Sequence, residues 1–375
     1  MRIAIMTLRL HKNYGGILQN YALNKVIRDM GHNVETINIV WNTRLTPLKK
    51  CFIWTKRLIK NLIRMKWSPL DFEGQILKQD QITTQYTKTF KIKYIPLTSK
   101  IYYLPNGDFS DLNENYDAII VGSDQVWRPK YANGIKHYFL DFITNSNIKR
   151  IAYSISFGTN INEYTRYQQL QCSNLIKKFN AISVREESGI QLIQKIFKYK
   201  KNVTQTLDPT LLLEKEEYLN LIGNYENNDK IFYYILDYTE DKQKAINQIE
   251  QKLSIPSFTL TPEGVENNST LIIPPVEEWL KAIISSRFIV TDSFHGCVFS
   301  ILFNKPFFVY GNNFRGKARF DSLLKTFGLE NRFIVSSSQL KNRQILDEQI
   351  NWDTINQTIE RQKQISKNFL FTALA

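Results

Sequence analysis

The stretch EEWLKAIISSRFIVTDSFHGCVFSILFNKPFFVY, residues 277–310, decides the fold. It begins with a helical pattern and continues with the short apolar run 288–291, a polar turn, a second helical pattern and another apolar run at 307–310. Short buried strands that alternate with helices are typical of a parallel sheet covered by helices. The stretch therefore predicts an α/β fold, in which the second helix begins at the carboxyl edge of the sheet.

The same alternation extends along the rest of the chain. Further strands are predicted at residues 2–7, 33–39, 118–121, 151–154, 181–184, 203–207, 230–236 and 257–260, and helices at 241–253, 276–285, 294–303 and 354–368. A chain of 375 residues exceeds what one hydrophobic core usually supports, so we expect two domains. Because Asp208-Pro209 interrupts regular structure, we predict domains at residues 1–208 and 209–375, with the last helix packing back on the first domain.

Composition and charge narrow the classes of function. Hydrophobic residues make up 43% of the chain and aromatic residues 13%, which is enough for packed cores and excludes disorder along the whole chain. The formal net charge of +14 indicates an anionic partner, such as nucleic acid, a membrane surface or a phosphorylated substrate. Because no recognised nucleic-acid-binding module is present, we expect no nucleic acid as a partner.

The cysteines and the amino terminus predict a cellular location. Cys51, Cys172 and Cys297 cannot all pair, and none has the spacing of a metal ligand. The first eight residues have the pattern of a strand rather than of a secretion signal, and no apolar stretch has the length needed to span a bilayer. We therefore expect a cytoplasmic protein with reduced thiols and no bound metal.

Residues 48–67 form a separate pattern. On a helical wheel most of their apolar side chains share one side and most of their lysines and arginines the other, and no acidic residue occurs between Glu35 and Asp71. A basic amphipathic helix suits an anionic membrane surface, which would bring the protein to the inner face of the membrane. An ordinary surface helix whose apolar side packs on the domain also explains the pattern and is the interpretation that we favour, while the membrane interpretation remains open.

Polar clusters follow several predicted strands, at the edge where parallel sheets bind ligands. These clusters are residues 13–16, 122–124, 156–158, 185–188 and 292–296. In the last cluster Asp292 or Ser293 can cap the following helix, whose amino terminus favours an anion. His295 lies in the first turn of that helix, beside Gly296, which permits close approach of the backbone. An imidazole at this position could transfer protons next to a bound anion.

Five motifs occur in one order along the chain. They are NYGGILQNYAL at 13–23, YDAIIVGSDQVW at 116–127, SVREES at 183–188, LDPT at 207–210 and TDSFHG at 291–296. Together they resemble the polysaccharide pyruvyl transferase family, and with the flanking strands the match covers nearly the whole chain. The resemblance implies two Rossmann-like domains that face a cleft, similar to the glycosyltransferase-B arrangement. We expect the acceptor on the side of the first domain and the donor on the side of the second.

The resemblance also implies an activity. It implies phosphoenolpyruvate as the donor, whose pyruvyl unit is transferred to two hydroxyls of a sugar to form a ketal. We expect this chain to act in the synthesis of a surface polysaccharide, such as an exopolysaccharide or a capsule. The acceptor would be a soluble or a lipid-linked glycan, and the basic helix at 48–67 motivates the lipid-linked alternative.

The resemblance assigns roles to individual residues. Arg185 matches a family arginine that binds the donor, and His295 matches the catalytic histidine. The commoner form of the last motif reads Arg-Leu-His-Gly, whereas Ser293 and Phe294 precede the histidine here. A basic residue of the loop that follows, Arg315 or Arg319, would have to replace the missing arginine. The predicted donor-binding residues are Arg185, Ser293, Gly296, Arg315 and Arg319.

The chemistry of ketal formation suggests the other residues. It needs cations for a trianionic donor, an acid for the methylene carbon or the leaving oxygen, and a base for each hydroxyl. We predict His295 for proton transfer and Asp124 as the base, with Glu186 as an alternative base, although both carboxylates could simply cap turns or helices. Amides and aromatic rings commonly bind sugars. The predicted acceptor-binding residues are Asn13, Tyr14, Gln19, Gln125 and Trp127.

One alternative enzyme remains open. A nucleotide-sugar-dependent glycosyltransferase of the same two-domain fold would need an acidic residue for the ribose, and Glu277 or Glu278 could supply it. The pair Gly15-Gly16 lacks the G-x-G-x-x-G spacing of a dinucleotide site, so we expect no cofactor.

Overall fold

The computed structural model describes residues 1–41, 54–56, 72–260, 263–264, 271–311, 316–340 and 348–375. The chain forms two parallel β-sheets that are covered by helices, which confirms the predicted α/β class. The chain passes from the first sheet to the second after residue 205. The domain boundary predicted at Asp208-Pro209 falls in this connection and stays a prediction.

The first sheet contains seven strands. They are β1 (Arg2–Met6), β2 (Asn33–Trp41), β3 (Leu97–Leu104), β4 (Ala118–Asp124), β5 (Lys149–Ile155), β6 (Ala181–Val184) and β7 (Thr204–Gln205). They pair in parallel in the order β3-β2-β1-β4-β5-β6-β7. Every residue of the central strand β4 is buried, as expected for a parallel sheet with helices on both faces.

The second sheet contains five strands. They are β8 (Ile231–Tyr234), β9 (Ser257–Phe258), β12 (Phe288–Thr291), β13 (Phe307–Tyr310) and β14 (Phe333–Ile334). They pair in parallel in the order β14-β13-β12-β8-β9. A short antiparallel pair, β10 (Glu263–Gly264) and β11 (Leu271–Ile272), lies outside both sheets.

Helices connect the strands. They are α1 (Tyr14–Asp29), α2 (Phe72–Thr83), α3 (Gln85–Tyr94), α4 (Leu112–Asn115), α5 (Arg166–Ile176), α6 (Glu187–Phe197), α7 (Lys215–Ile222), α8 (Glu240–Leu253), α9 (Val276–Ser285), α10 (Phe294–Leu302), α11 (Lys317–Phe327) and α12 (Trp352–Leu374). None of the helices in the described parts of the chain is long and apolar enough to cross a membrane.

Two helices join the halves of the molecule. The ring of Tyr14, at the start of α1, stacks on Trp279 of α9 at 5.4 Å, and its hydroxyl donates a hydrogen bond of 2.7 Å to the carbonyl of Pro274. The last helix, α12, contacts the first sheet, where Lys149 donates a hydrogen bond of 3.0 Å to the carbonyl of Leu374. The carboxyl edges of the two sheets face each other, since Arg319, which follows β13, contacts Asp124 at the carboxyl end of β4.

The predicted strands and helices around the polar clusters are confirmed within a few residues of their ends. The prediction gave no bounds for β3, β10, β11 and β14 or for the helices α1 to α7 and α11. β3 lies at the edge of its sheet, where the sequence LTSKIYYL includes polar residues and shows no continuous apolar run. Apart from residues 54–56, which are helical, the predicted amphipathic helix at 48–67 lies outside the described residues.

We predict that Trp127→Ala lowers the free energy of unfolding by about 3–5 kcal/mol. The Trp127 ring is fully buried, stacks on Phe139 at 4.3 Å and donates a hydrogen bond of 2.8 Å to the carbonyl of Tyr138. Urea unfolding measures the change, with Tyr167→Ala as the control because Tyr167 is 70% exposed. A loss no larger than that of the control would contradict this account of the core.

Candidate functional site

The candidate site lies between the carboxyl edges of the two sheets. In the first sheet, β4 ends at Asp124, Arg185 directly follows β6, and Asp208 lies shortly after β7. Because these strands are parallel and close together in the sheet, side chains that follow them meet at one edge. From the second half, His295 in the first turn of α10 and Arg319 in α11 reach the same place.

Two arginines and two aspartates form a buried ion-pair network at this edge. Arg185 Nη2 lies 2.7 Å from Asp208 Oδ2, and Arg185 Nη1 lies 3.5 Å from Asp124 Oδ1. Arg319 Nη1 donates a hydrogen bond of 3.0 Å to the same oxygen of Asp124. None of the four side chains is more than 8% exposed. Since Asp124 and Arg319 come from different halves of the chain, the network also joins the two sheets.

Ser123 and Gln19 position Arg185 from the side of the first sheet. Ser123 Oγ accepts a hydrogen bond of 2.6 Å from Arg185 Nη2 and donates one of 2.8 Å to Gln19 Oε1. Two other nitrogens of Arg185, Nε and Nη1, are buried and donate no hydrogen bond within the residues that the structure describes, although Nη1 keeps its ion pair of 3.5 Å with Asp124. Since a buried donor without an acceptor costs free energy, these two N–H groups are candidates for binding a ligand.

Phe294 lies close to both arginines. The Cζ atom of Arg185 is 5.0 Å from the centre of the Phe294 ring, and the Cζ atom of Arg319 is 4.9 Å from it. Aromatic faces attract guanidinium groups at such distances, so the ring helps to hold both. Arg319 therefore brings an arginine to the site although the TDSFHG motif contains none. Arg315, the other predicted replacement, lies outside the described residues.

His295 is packed between the two halves. Its Nε2 atom lies 3.4 Å from Asp208 Oδ2 and makes no hydrogen bond with the described parts of the chain. A Cβ atom added to Gly15 would lie 2.0 Å from His295 Nδ1, so glycine is required there for the ring to keep its position. This contact explains why the first residue of the Gly15-Gly16 pair is a glycine.

The start of α10 is capped from within its own motif. Ser293 Oγ accepts a hydrogen bond of 3.3 Å from the amide of Gly296. The two residues, both predicted to bind the donor, are thus hydrogen-bonded to each other. Gly296 also lies against Thr291, whose Oγ1 atom would be 2.5 Å from an added Cβ. Asp292, the other predicted cap, instead accepts a hydrogen bond of 2.7 Å from Lys242.

Two small cavities meet at Phe294 and Arg319, which line both. One cavity, of about 140 Å³, is also lined by Asp124 and His295. The other cavity, of about 100 Å³, is also lined by Arg185 and Asp208. We call the first the histidine cavity and the second the arginine cavity. Each has room for a small anionic group, the histidine cavity beside His295 and Arg319 and the arginine cavity beside Arg185 and Arg319.

Burial and charge shift the pKa values of two acidic groups in opposite directions. Burial alone would raise the pKa of Asp208, but the charges of Arg185 and His295 outweigh it and lower this pKa below its usual value. Burial raises the pKa of Glu186, whose Oε1 atom accepts hydrogen bonds of 2.9 and 3.1 Å from two amides of the loop after β5. Glu186, the alternative base, thus anchors this loop and lines neither cavity.

The residues predicted to bind the acceptor divide into two groups. Asn13 and Gln125 line the histidine cavity. Tyr14, Gln19 and Trp127 are buried and line neither cavity of the site. Tyr14 connects the two halves, Gln19 accepts a hydrogen bond from Ser123, and Trp127 packs in the core of the first sheet. These three side chains therefore have structural contacts and do not line the site.

Sequence reasoning assigned no role to Asp208, Ser123 or Phe294. Each belongs to a motif, but the motif alone does not show that Asp208 pairs with both Arg185 and His295. The available signal was position, because Ser123 lies at the end of β4 and Asp208 lies shortly after β7 of the same parallel sheet. Phe294 carried no such signal, since an aromatic residue at the start of a helix is usually part of a core.

We predict that Gly15→Ala destabilises the fold by about 1–3 kcal/mol, because the added Cβ must displace the His295 ring. The control is Gly16→Ala in the same turn of α1, where the added Cβ would lie 3.6 Å from Asn13, an ordinary contact. Alanine there is expected to leave stability unchanged or to raise it by up to about 1 kcal/mol. Thermal unfolding compares the two variants, and equal effects would show that Gly15 is not constrained by His295.

We predict that Asp208→Asn destabilises the fold by about 3 kcal/mol or more at neutral pH, because it leaves Arg185 without its closest carboxylate. Since folding lowers the pKa of Asp208, its stabilising effect is present above about pH 3.9, the pKa of an unfolded aspartate, and is lost as the pH falls. Urea unfolding at several pH values therefore should show the difference from wild type shrinking in acid.

The control for this variant is Asp229→Asn, which removes an exposed ion pair with Arg287 and should change stability by less than about 0.5 kcal/mol. A difference between Asp208→Asn and wild type that stays constant down to low pH would contradict the ionised state of Asp208.

Solved structures of other proteins are similar to this chain in fold. A Listeria monocytogenes protein assigned as a UDP-N-acetylglucosamine 2-epimerase matches with a TM-score of 0.52 and 10% identity, over 100% of this chain and 96% of that one. A UDP-GlcNAc 2-epimerase from Neisseria meningitidis matches with a TM-score of 0.46 and 9% identity, over 100% and 99% of the two chains. At 10% identity the Listeria match concerns the fold alone, and together with the two parallel sheets it confirms the expected glycosyltransferase-B-like arrangement of two Rossmann-like sheets.

A search of curated proteins gave no significant match. A family model, described as polysaccharide pyruvyl transferase, matches residues 13–313. This range contains all five sequence motifs and most of the residues that line the two cavities. The chain therefore belongs to the polysaccharide pyruvyl transferase family.

Proposed function

We propose that this protein transfers the pyruvyl unit of phosphoenolpyruvate to two hydroxyls of a glycan, forming a pyruvate ketal and releasing phosphate. The observation that carries the proposal is that the buried Nε and Nη1 groups of Arg185 donate no hydrogen bond within the described residues, with Nη1 only in an ion pair of 3.5 Å with Asp124. His295 lies next to them, because Arg185 and His295 contact the same oxygen of Asp208. A guanidinium presents its donors in a planar fork that matches carboxylate and phosphate groups. The family membership supports a transferase of this kind.

The reaction requires several proton transfers in one place. The methylene carbon of phosphoenolpyruvate gains a proton and becomes a methyl group, while the neighbouring carbon forms a bond to the first hydroxyl oxygen, which loses its proton. The carbon–oxygen bond to phosphate then breaks, and the second hydroxyl attacks the same carbon and loses its proton. One hydroxyl proton replaces the proton given to the methylene carbon, and the other is taken up by the released phosphate. The products are the ketal and inorganic phosphate, so atoms and charges balance.

The residues at the two cavities can be assigned to these steps. Arg185 and Arg319 bind the phosphate and the carboxylate of the donor, and His295 donates the proton to the methylene carbon. Asp208, at 3.4 Å from Nε2, orients the imidazole. Asp124 lines the histidine cavity, and one of its oxygens accepts a hydrogen bond from Arg319. In the reaction it accepts the proton of a hydroxyl.

The acceptor is proposed to be a glycan intermediate of a surface polysaccharide, such as an exopolysaccharide or capsule, bound from the side of Asn13 and Gln125. The protein is further proposed to act at the cytoplasmic face of the membrane and to contact anionic lipid through residues 48–67. The support for both is the basic amphipathic pattern of the sequence.

Two variants separate donor binding from proton transfer. Arg185→Gln should weaken the binding of phosphoenolpyruvate by about tenfold or more, because it removes charged donors. Since it also removes the closest cation of Asp208, affinity is measured at a temperature at which thermal unfolding shows the variant to be folded. His295→Ala should leave donor binding within a few-fold of wild type and lower kcat by about a hundredfold or more, as expected for the loss of a general acid. Calorimetry measures the affinity, and phosphate release with a panel of glycans measures kcat.

The matched control is Arg150→Gln. Arg150 is buried to nearly the same extent as Arg185, but it donates a hydrogen bond to the carbonyl of Ile143 and lines neither cavity. Unchanged donor affinity in Arg185→Gln, or near-normal turnover in His295→Ala, would refute the corresponding role. Thermal stabilisation by nucleotide sugars and none by phosphoenolpyruvate would favour the glycosyltransferase alternative instead.

A further inference from the structure

A larger cavity adjoins the histidine cavity. Its volume is about 360 Å³, and its walls come from the loop after β1 and from β2, α2 and α3. Leu8 lines both this cavity and the histidine cavity, so the two cavities are neighbours that share this side chain in their walls. We call the larger one the basic cavity. The charged or titratable residues that line it are Arg9, His11, Asp80, Lys88 and Lys91.

Positive charge exceeds negative charge in the basic cavity. Its one carboxylate, Asp80, already lies 3.1 Å from Arg9 Nη2 and 2.6 Å from His11 Nε2. Lys91 Nζ donates a hydrogen bond of 2.6 Å to the carbonyl of Leu10. Neither Lys88 nor Lys91 forms an ion pair with a carboxylate in the parts of the chain that the structure describes.

The surroundings of Lys91 disfavour its own positive charge. Burial, together with the nearby charges of Arg9 and Lys88, lowers the pKa of Lys91 to about 8. A bound anion would offset this repulsion. In sequence, the connection from β2 to α2, residues 42–71, contains one acidic residue, Asp71, and a large excess of lysines and arginines.

The donor does not account for this second group of cations. Under the proposed function, the phosphate and carboxylate of phosphoenolpyruvate bind at Arg185 and Arg319, whereas the basic cavity lies beyond Leu8 on the side of the first sheet. The acceptor must reach His295 with its hydroxyls and extend away from the donor. A space of about 360 Å³ accommodates more than a single inorganic ion.

We infer that the basic cavity binds the phosphate or diphosphate group of the acceptor, so that the substrate class is a glycan linked to phosphate. This inference rests on the proposed function for the direction from which the acceptor enters. Lys88, Lys91 and Arg9 would contact the phosphate oxygens, while the sugar extends past Leu8 towards His295. Such a contact makes the phosphate group a determinant of specificity.

The kinetic test uses Lys88→Gln and Lys91→Gln, with Lys93→Gln as the matched control, because Lys93 is exposed on the same helix. For each protein, kcat/KM is measured for one glycan with and without a diphosphate group. The preference for the diphosphate form should fall about tenfold in Lys88→Gln and Lys91→Gln and stay unchanged in Lys93→Gln. Since Lys88 is exposed, its variant keeps the test valid if Lys91→Gln fails to fold. An unchanged preference in Lys88→Gln overturns the inference.

A binding test does not depend on turnover. Calorimetry with inorganic pyrophosphate is performed on Arg185→Gln, which weakens the donor site, and on the double variants that add Lys88→Gln or Lys93→Gln. Adding Lys88→Gln should weaken the remaining binding about tenfold, and adding Lys93→Gln should not. Equal binding in both double variants overturns the inference. If adding Lys88→Gln weakens pyrophosphate binding but the wild-type protein does not use phosphoenolpyruvate, the result supports the role of the basic cavity and refutes the assignment of phosphoenolpyruvate as the donor.

The source of the phosphate is distinguished by two acceptors. One is a glycan on a polyprenyl diphosphate in vesicles, and the other is the same glycan as a soluble glycosyl phosphate. A preference for either over the neutral glycan supports the inference and identifies the source. A preference for the neutral glycan overturns it.

Discussion

The ion pair between Arg185 and Asp208 is the contact on which the geometry of the site depends. Burying either charge alone would cost several kcal/mol, so each group requires the other. Arg185 is further fixed by Ser123, and Asp208 also lies next to the imidazole of His295. Asp208, which follows the last strand of the first sheet, thereby helps to position the His295 ring, which belongs to a helix of the second half.

The same network explains why the protein needs two sheets that face each other. Asp124 ends a central strand of the first sheet, and Arg319 reaches it from α11. Gly15 of α1 approaches His295 so closely that no larger residue fits. Each half alone would leave buried charges without partners. The cleft is therefore a product of the interface, and its small cavities lie where cations of one half meet carboxylates of the other.

The sequence predicted the α/β class, most strands and the residues that follow them, because buried parallel strands have continuous apolar runs and end in polar clusters. It also predicted that Arg185 and His295 would be candidates for one site. It could not predict the contacts of Asp208, since pairing across two sheets depends on how the halves pack. Trp127 and Tyr14 illustrate the same limit, because an aromatic residue after a strand can face a ligand or a core. The basic cavity escaped sequence reasoning because α2 and α3 lack a strong apolar pattern and bring Asp80, Lys88 and Lys91 next to β1 only in the folded chain.

The central claim is that the buried N–H groups of Arg185 bind phosphoenolpyruvate next to His295. A crystal structure of the protein with phosphoenolpyruvate tests it most directly. The account predicts an oxygen of the donor within hydrogen-bonding distance of Arg185 Nε or Nη1 and the methylene carbon facing the His295 ring. Phosphoenolpyruvate bound away from both side chains, or an ordered guanidinium of Arg185 that makes no contact with it, would contradict the account.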